Sequence, residues 1–337
     1  MGALPFELRK REVFVKREAK TDSKFGCKPE DRSTEEIIDF GTLNIDKPKG
    51  PTSHQVSAYV QQILEIKKSG HSGTLDPQVT GVLPVALGRG TKVIQAMISA
   101  GKEYVCIMHL HKDVDEKQIR EVFSKFTTKI TQMPPVKSAV KREWREREVY
   151  YMNILEVKGK DVLFVVGCQA GTYIRKLCHD MGRDLKVGAH MAELRRSKAG
   201  PFDETRNLIT LHDLKDAFAV YKEEGKDTLL RKLILPVERG VDNLPKVWIL
   251  DSTVNSLSHG TDLAIPGISK LEEFEKEEMV AVMTLKEELV ALGKANMDTK
   301  EIMSKEKGIA VLIEKVFILP GAYPKIAKIS TEKDKTN

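Results

Sequence analysis

The chain has 337 residues, 41% of them hydrophobic and 31% charged, with a formal net charge of +6. This length suits about two domains with cores of ordinary size, and the composition excludes a disordered chain. No apolar run reaches the ~18 residues of a membrane span, no signal-peptide core follows Met1, and the four cysteines form no Cys-x-x-Cys pair. We therefore expect a cytoplasmic protein with reduced thiols, and the charge permits a polyanionic partner without requiring one.

The hydrophobic pattern predicts a mixed α/β domain over residues 41–243, after an N-terminal extension over residues 1–40. In chain order the predicted elements are a strand at 42–46, a helix capped by Ser53, an apolar segment at 82–87, a helix at 91–100, a strand at 102–111, a helix at 115–126, a strand hairpin at 149–155 and 161–167, a helix at 172–185, a strand at 189–196 and a helical section at 211–234. Because helices and strands do not alternate regularly, the pattern favours a largely antiparallel mixed sheet over a doubly wound parallel one.

The sequence pattern changes after Pro245 to short predicted strands separated by Gly and Pro. It predicts strands at 247–249, 260–267, 278–283, 288–295 and 308–313, and therefore a separate small β-rich domain. We place this domain at residues 244–325 and predict a disordered basic tail at 326–337.

The Gly-rich segment 70–81 is the strongest candidate for chemistry. His71 and Asp76 lie in a loop whose glycines allow a ligand to approach the backbone closely, although an ordinary glycine turn explains the same residues. Arg175 in a later predicted helix would keep a buried Asp76 ionised, or would form a surface ion pair of little consequence. Tyr104 is either a core residue or a platform on which a base stacks.

Metal and phosphate motifs find little support in the sequence. The eight histidines form no His-x-x-x-His motif with a neighbouring carboxylate, and His109 and His111, two apart on a strand, are expected to flank the pleat rather than to chelate. The glycine-rich segment 88–92 matches neither the P-loop nor the dinucleotide fingerprint. We therefore expect no cofactor and no metal.

Basic residues are concentrated between residues 169 and 200, with aromatic side chains elsewhere in the candidate motifs. A basic cleft with aromatic groups is typical of RNA binding. A solvated basic face explains the same charges, so the charge pattern leaves both interpretations open.

Five ordered motifs resemble those of the RNA pseudouridine synthases. They are Lys47-Pro-Lys-Gly-Pro-Thr-Ser53, Gly70-His-Ser-Gly-Thr-Leu-Asp-Pro77, Lys102-Glu-Tyr104, Gly171-Thr-Tyr-Ile-Arg175 and Leu194-Arg-Arg196. Segments 134–141 and 187–196 are similar to the dyskerin-like catalytic subunits of H/ACA ribonucleoproteins, in the archaeal form. Segment 244–324 resembles the PUA domain, a small RNA-binding β-barrel. The resemblance implies an α+β catalytic domain with a PUA barrel, and an isomerase that converts uridine in RNA to pseudouridine.

The resemblance also assigns roles to single residues. Asp76 would be the catalytic carboxylate, Arg175 its ionic partner, and Tyr104 the ring that stacks on the flipped base.

Four further residues would bind the substrate or support the site. His71 would help to extrude the uridine, Leu194 would form an apolar wall of the uracil pocket, and Lys47 and Pro48 would support the catalytic loop. No cofactor takes part in such a reaction.

The partners implied by the resemblance are RNA and protein. The RNA partners are an H/ACA guide RNA, held by the PUA domain at its ACA end and lower stem, and substrate rRNA and tRNA. The protein partners are a small zinc-ribbon protein, a Gar-type protein and a kink-turn-binding ribosomal-type protein. No association with a membrane is expected. A close alternative is guide-independent modification of uridine 55 in tRNA. The rival of a different class is a non-catalytic RNA scaffold that keeps the fold.

Overall fold

The computed structural model describes residues 2–134 and 141–324. These residues form two compact units, the first from 2–9 with 33–134 and 141–243, the second from 10–32 with 244–324. The motif residues 135–140 and the predicted tail 326–337 lie outside the described residues. In the described ranges, no helix has both the length and the apolar character needed to cross a bilayer.

The strands are numbered along the chain. They are β1 Val13–Val15, β2 Gly41–Lys47, β3 Ser69–His71, β4 Thr80–Leu87, β5 Lys102–Leu110, β6 Lys129–Gln132, β7 Arg145–Lys158, β8 Asp161–Cys168, β9 Ala189–Ala199, β10 Phe202–Asp203, β11 Leu208–Ile209, β12 Leu235–Pro236, β13 Lys246–Ile249, β14 Leu263–Ala264, β15 Ile268–Glu272, β16 Met279–Met283, β17 Leu289–Ala295 and β18 Ile309–Val316.

The α-helices are numbered in the same way. They are α1 Thr34–Asp39, α2 Ser53–Leu64, α3 Ile94–Ile98, α4 Glu116–Phe126, α5 Ile174–Asp184, α6 Leu211–Glu224, α7 Thr228–Leu233, α8 Asp251–Ser258 and α9 Thr299–Ser304.

One mixed sheet organises the first unit. Its strand order is β11-β2-β4-β9-β5-β8-β7-β6, with β12 beside β2, β3 beside β4 and β10 beside β9. Within this sheet, only the pairs β11–β2 and β4–β9 are parallel among the described strands. The expected largely antiparallel mixed sheet is therefore confirmed.

Two hydrophobic clusters hold helices against this sheet. One joins α2 and α6 to β2 and β4, and its buried members include Leu43, Val60 and Leu214. The other joins α4 and α5 to β5 and β8, and includes Phe123 and Phe164, whose rings meet edge to face with centroids 4.9 Å apart. The apolar spacing that predicted these helices from sequence is the spacing of their buried faces.

Three central strands bring distant motifs together. The parallel pairing of β4 with β9 places Gly81 opposite Arg196. The antiparallel pairing of β5 with β9 places Tyr104 opposite the same arginine. Residues 92 and 115 positions apart in sequence therefore meet at the centre of the sheet.

Two helix predictions differ in detail from the structure. Thr52, rather than Ser53, caps α2, because the Thr52 hydroxyl accepts from the Gln55 amide and the Gln55 side chain returns to the Thr52 amide. The helix predicted at 91–100 is a 3₁₀ turn over Gly88–Val93 followed by the short α3.

The second unit contains a seven-stranded sheet in the order β1-β15-β13-β16-β17-β18-β14. The strands predicted around 247, 280, 290 and 310 are present. The segment predicted as a strand over 260–267 forms only β14 and a 3₁₀ turn, since Pro266 has no amide hydrogen for a sheet ladder. Strand β15 and helices α8 and α9 were not predicted.

The residues treated as an N-terminal extension divide between the two units. Residues 10–32 contain β1, in which Phe14 pairs with Leu271 of β15. The short strand covers the open edge of β15, where unpaired backbone groups would otherwise invite association.

Candidate active site

Residues 72–79 form the loop between β3 and β4, named here the Asp76 loop, and Lys47 anchors it. The Lys47 side chain is fully buried. Its ammonium donates to the carbonyl oxygens of Val79 at 2.8 Å, Pro77 at 3.3 Å and Pro48 at 2.8 Å. Burial lowers the pKa of Lys47, and the charge of Asp76 opposes that shift. Lys47 and the Pro48 carbonyl thus lie where support for the loop was predicted.

A second anchor comes from the start of α2. The buried Ser53 hydroxyl accepts from the Leu75 amide at 2.8 Å and donates to the Leu75 carbonyl at 3.2 Å. The Gly50 amide donates to the Pro77 carbonyl at 2.8 Å. The residues on both sides of Asp76 are therefore fixed by hydrogen bonds from outside the loop.

Asp76 and Arg175 form an ion pair at the surface of the first unit. Nη2 of Arg175, in the first turn of α5, donates to Oδ2 of Asp76. The side chains are 53% and 59% exposed, so the expectation of a buried aspartate is wrong. The backbone of the Asp76 loop is anchored inside the protein while its carboxylate points outward, which leaves the pair accessible to a large ligand.

Tyr104 and Leu194 border the hydrophobic cluster around β5 and β8. Tyr104 is partly buried, and its hydroxyl is hydrogen-bonded to the guanidinium of Arg196. Burial raises the pKa of Tyr104, and Arg196 opposes that shift. Leu194 lies opposite Cys106, two residues from the Arg196–Tyr104 pair, so an apolar wall and an aromatic ring share one part of the sheet.

His71 ends β3 and lies before the Asp76 loop. Its ring meets that of His54 edge to face, with centroids 4.8 Å apart. Neither ring nitrogen has a hydrogen-bond partner in the described part of the chain. Burial, followed by the charges of His54 and Arg196, lowers the pKa of His71 to about 4, so the imidazole is neutral at pH 7. His71 borders a groove of about 360 Å³ between α2 and β3.

Sequence reasoning missed the structural roles of Ser53, Arg196 and Lys102. The Lys102 side chain is buried, and its ammonium donates to the carbonyls of Met97, Ile98 and Ala100 at the end of α3. A basic residue in phase with the buried apolar positions of its strand, as Lys102 is with Cys106 and Met108, is a signal that could have identified Lys102 as a buried cation.

His109 on β5 and His111, just after its end, form pairs with residues of the adjacent strands β8 and β9. His109 lies 2.6 Å from Asp161 through Nδ1, and His111 Nε2 lies 3.1 Å from His190 Nδ1. Within residues 2–134 and 141–324, no group of three or more His, Cys, Asp or Glu side chains is arranged to hold a metal ion.

Four family models match successive parts of the chain. Residues 61–174 match the N-terminal domain of the TruB family pseudouridylate synthases, and residues 175–242 match the tRNA pseudouridylate synthase B C-terminal domain. The chain belongs to the TruB family of pseudouridylate synthases. A PUA domain matches residues 245–317 of this synthase, and a DKCLD domain matches residues 2–57. The resemblance inferred from the motifs is thus confirmed, and with it an isomerase class that acts on uridine in RNA.

Relatives of the synthase cover nearly its whole length. It is 56% identical over 327 residues to a protein of Thermococcus kodakarensis and 52% identical over 329 residues to one of Methanopyrus kandleri. Both are named "Probable tRNA pseudouridine synthase B", with 96% or 97% of each chain covered.

Solved structures are similar over the same extent. A chain of a Cbf5-Nop10-Gar1 complex superimposes with a TM-score of 0.93 at 55% identity, covering 96% of the synthase and 99% of that chain. A chain of an H/ACA RNP bound to a substrate RNA containing 2′-deoxyuridine gives 0.91 at 52% identity, covering 96% and 100%. The mixed α/β fold with a PUA domain is thereby confirmed.

Proposed function

We propose that the synthase is the catalytic subunit of an H/ACA guide ribonucleoprotein that isomerises uridine in rRNA, and that it also modifies uridine 55 of tRNA. The observation that carries the proposal is the Asp76–Arg175 pair, exposed on a loop whose backbone is fixed from both sides. A binding scaffold gains nothing from holding an accessible carboxylate so firmly, whereas a reaction at one sugar carbon requires it.

The reaction consists of three steps at one nucleotide. The N1–C1′ bond of uridine breaks, the uracil turns while it remains bound, and carbon 5 bonds to C1′. Asp76 starts this sequence either by attacking C1′ or by removing the 2′ proton, and Arg175 holds the carboxylate in position. Rejoining releases the hydrogen of carbon 5 to solvent, and N1 takes up a proton.

The remaining site residues hold the extruded base. We assign the ring of Tyr104 to stacking on the uracil and Leu194 to an apolar wall beside it, which is supported by their place at one hydrophobic cluster. His71, neutral and without a hydrogen-bond partner in the described chain, is assigned to the space that the uridine leaves. Lys47 and Pro48 keep the Asp76 loop in place.

The partners follow from the similarity to chains in complexes. The likeness to the Cbf5-Nop10-Gar1 chain supports a small zinc-ribbon protein and a Gar-type protein as partners, and the likeness to the H/ACA RNP chain supports a guide RNA and a substrate RNA. The kink-turn-binding ribosomal-type protein follows from the motif resemblance alone. The names of the archaeal relatives support tRNA as a second substrate. The four free thiols, three of them buried, support a cytoplasmic location.

The proposed guide-binding part is the second unit. A groove of about 480 Å³ in this unit is lined by residues that include Lys20 and Lys270. Reversing the exposed charge with Lys20→Glu should weaken guide-RNA binding several-fold. It should also reduce the slope of the binding constant against salt concentration by the amount expected for about one phosphate contact. The matched control is Lys300→Glu, at an exposed position of α9 in the same unit. Equal affinities for the two variants would contradict the assignment.

Tritium release from 5-tritiated uridine tests the proposed function, because rejoining through carbon 5 must expel that hydrogen. We expect release from a tRNA transcript, and from a guided rRNA substrate when guide RNA and partner proteins are present. Asp76→Asn should abolish release while RNA affinity stays nearly unchanged. Equal activity of variant and wild type would refute the site, and RNA binding without release under any condition would favour the scaffold.

A further inference from the structure

Arg196 is buried on β9 without a carboxylate partner. Its side chain is 1% exposed. Nε donates to the Val82 carbonyl at 2.7 Å, Nη2 donates to the Gly73 carbonyl at 3.2 Å, and the Tyr104 hydroxyl is the third partner. Among the residues that the structure describes, no Asp or Glu forms an ion pair with it. The preceding Arg195, by contrast, pairs with two carboxylates.

Such a charge is unfavourable in the resting protein. A guanidinium stays protonated throughout the ordinary pH range, and carbonyl and hydroxyl oxygens compensate a buried cation less well than a carboxylate does. A fixed positive charge is useful where negative charge develops during a reaction, since it then acts without any reorganisation of the protein. The burial of Arg196 without a carboxylate therefore indicates that a negative charge develops near it during the reaction.

The positive charge of Arg196 is directed at the proposed site. Gly73, which accepts from its guanidinium, belongs to the Asp76 loop, and Tyr104 lies opposite it on β5. After burial, the charge of Arg196 is the next cause that lowers the pKa of Lys102 to about 7. It also contributes to the low pKa of His71, after burial and a neighbouring imidazole. Groups on both β3 and β5 are thus affected by its charge.

We propose that Arg196 is a positioning residue that acts through the Tyr104 hydroxyl, directs positive charge at the uracil, and stabilises the uracil anion formed when the N1–C1′ bond breaks. The inference rests on the proposed function. The electron pair of the broken bond passes to the uracil and spreads over its two carbonyl oxygens. It forms the new bond when carbon 5 attacks C1′, after which carbon 5 releases its proton to solvent and N1 gains one.

The test compares uridine with 5-fluorouridine at the target position of the same RNA. Fluorine makes the departing uracil a more stable anion, so its departure depends less on a nearby cation. Single-turnover formation of the C-glycoside, measured by chromatography and mass spectrometry of digested RNA, gives a rate for each substrate. The product of uridine is pseudouridine, whereas the product of 5-fluorouridine keeps its fluorine, because carbon 5 then has no proton to release. The variants are Arg196→Gln and Arg196→Lys, and the control is Arg195→Gln, whose wild-type charge is already paired on the same strand.

We expect Arg196→Gln to slow the reaction of uridine at least about 100-fold. The factor by which it slows the reaction of 5-fluorouridine should be about ten times smaller. Arg196→Lys, with a displaced charge, should change the ratio of the two rates in the same direction by about threefold. Arg195→Gln should affect both substrates equally. RNA affinity, measured separately, should change less than about threefold for all three variants.

Equal losses on both substrates for the Arg196 variants would overturn the inference and leave Arg196 a purely structural residue. Arg196→Lys decides the question if Arg196→Gln does not fold, as judged by circular dichroism and thermal unfolding. Failure of the proposed function is recognised separately, because the wild type would then form no product from either substrate, or Asp76→Asn would remain active on both.

Discussion

Replacing Ser53 with alanine removes both hydrogen bonds that join α2 to Leu75. Both residues are buried, so water cannot replace the lost partner of the Leu75 amide. An unsatisfied buried donor costs about 1–3 kcal/mol. In domains of about 150–250 residues, each kcal/mol corresponds to about 2–4 °C. We therefore expect Ser53→Ala to lower the Tm for unfolding of the first unit by about 2–12 °C.

The same substitution should reduce activity, because Leu75 directly precedes Asp76. A displacement of about 1 Å at a reacting group costs about 100-fold in rate, and only part of the loop's support is lost here. The single-turnover rate of tritium release should fall at least about tenfold. RNA affinity should change less than about threefold, since no charged or exposed group has been removed.

Thr52→Ala is the matched control for Ser53→Ala. Thr52 caps α2 through Gln55, and loss of this cap costs about 0.5–2 kcal/mol. The control therefore destabilises the same helix end but leaves the bonds to Leu75 intact, so its rate should stay within about twofold of wild type. A fully active Ser53→Ala, or equal losses of activity in both variants, would refute the reasoning.

Three further predictions concern buried polar groups. Because the folded-state pKa of His71 is lowered from 6.5 to about 4, the contribution of His71 to stability is present above pH 6.5 and is lost as the pH falls towards 4; the Tm advantage of wild type over His71→Gln should shrink across that range, and a Tm difference that stays constant there would contradict this reasoning. The Tyr323 hydroxyl donates to the buried Glu288 at 2.5 Å, so Tyr323→Phe should lower the free energy of unfolding of the second unit by about 1–3 kcal/mol in urea, and an unchanged value would show that the bond contributes nothing. Lys47→Met leaves three carbonyls without their donor and should slow tritium release at least about 100-fold; a variant with normal activity would show that the Asp76 loop holds its shape without this ammonium.

Much of the secondary structure could be predicted from local patterns. The strand at 42–46 and the helix at 115–126 follow from alternation and from helical spacing, which depend only on near neighbours. The pairing of Asp76 with Arg175 could be anticipated because an unusual loop and a helical arginine occur in ordered motifs. Patterns of this kind can be recognised in the amino-acid sequence without knowledge of the fold.

What could not be predicted depends on contacts between distant residues. The capping role given to Ser53 was wrong because Thr52 holds the N-cap position, and the Ser53 hydroxyl is hydrogen-bonded to Leu75, 22 positions away. The exposure of Asp76 depends on how its loop leaves the sheet. The split of residues 1–40 between two units depends on the pairing of β1 with β15, more than 250 positions apart.

The site combines accessible reactive groups with buried polar supports, and the two kinds of residue should respond differently to substitution. The Asp76–Arg175 pair is more than half exposed, and ion pairs of that kind contribute about 0–1 kcal/mol to stability. Asp76→Asn should therefore abolish isomerisation while changing Tm by no more than about 4 °C. Substitution of the buried Lys47 or Ser53 should reduce both activity and stability. If Asp76→Asn unfolded the first unit as readily as Lys47→Met, the carboxylate would belong to the support of the loop, and its exposure would have no bearing on catalysis.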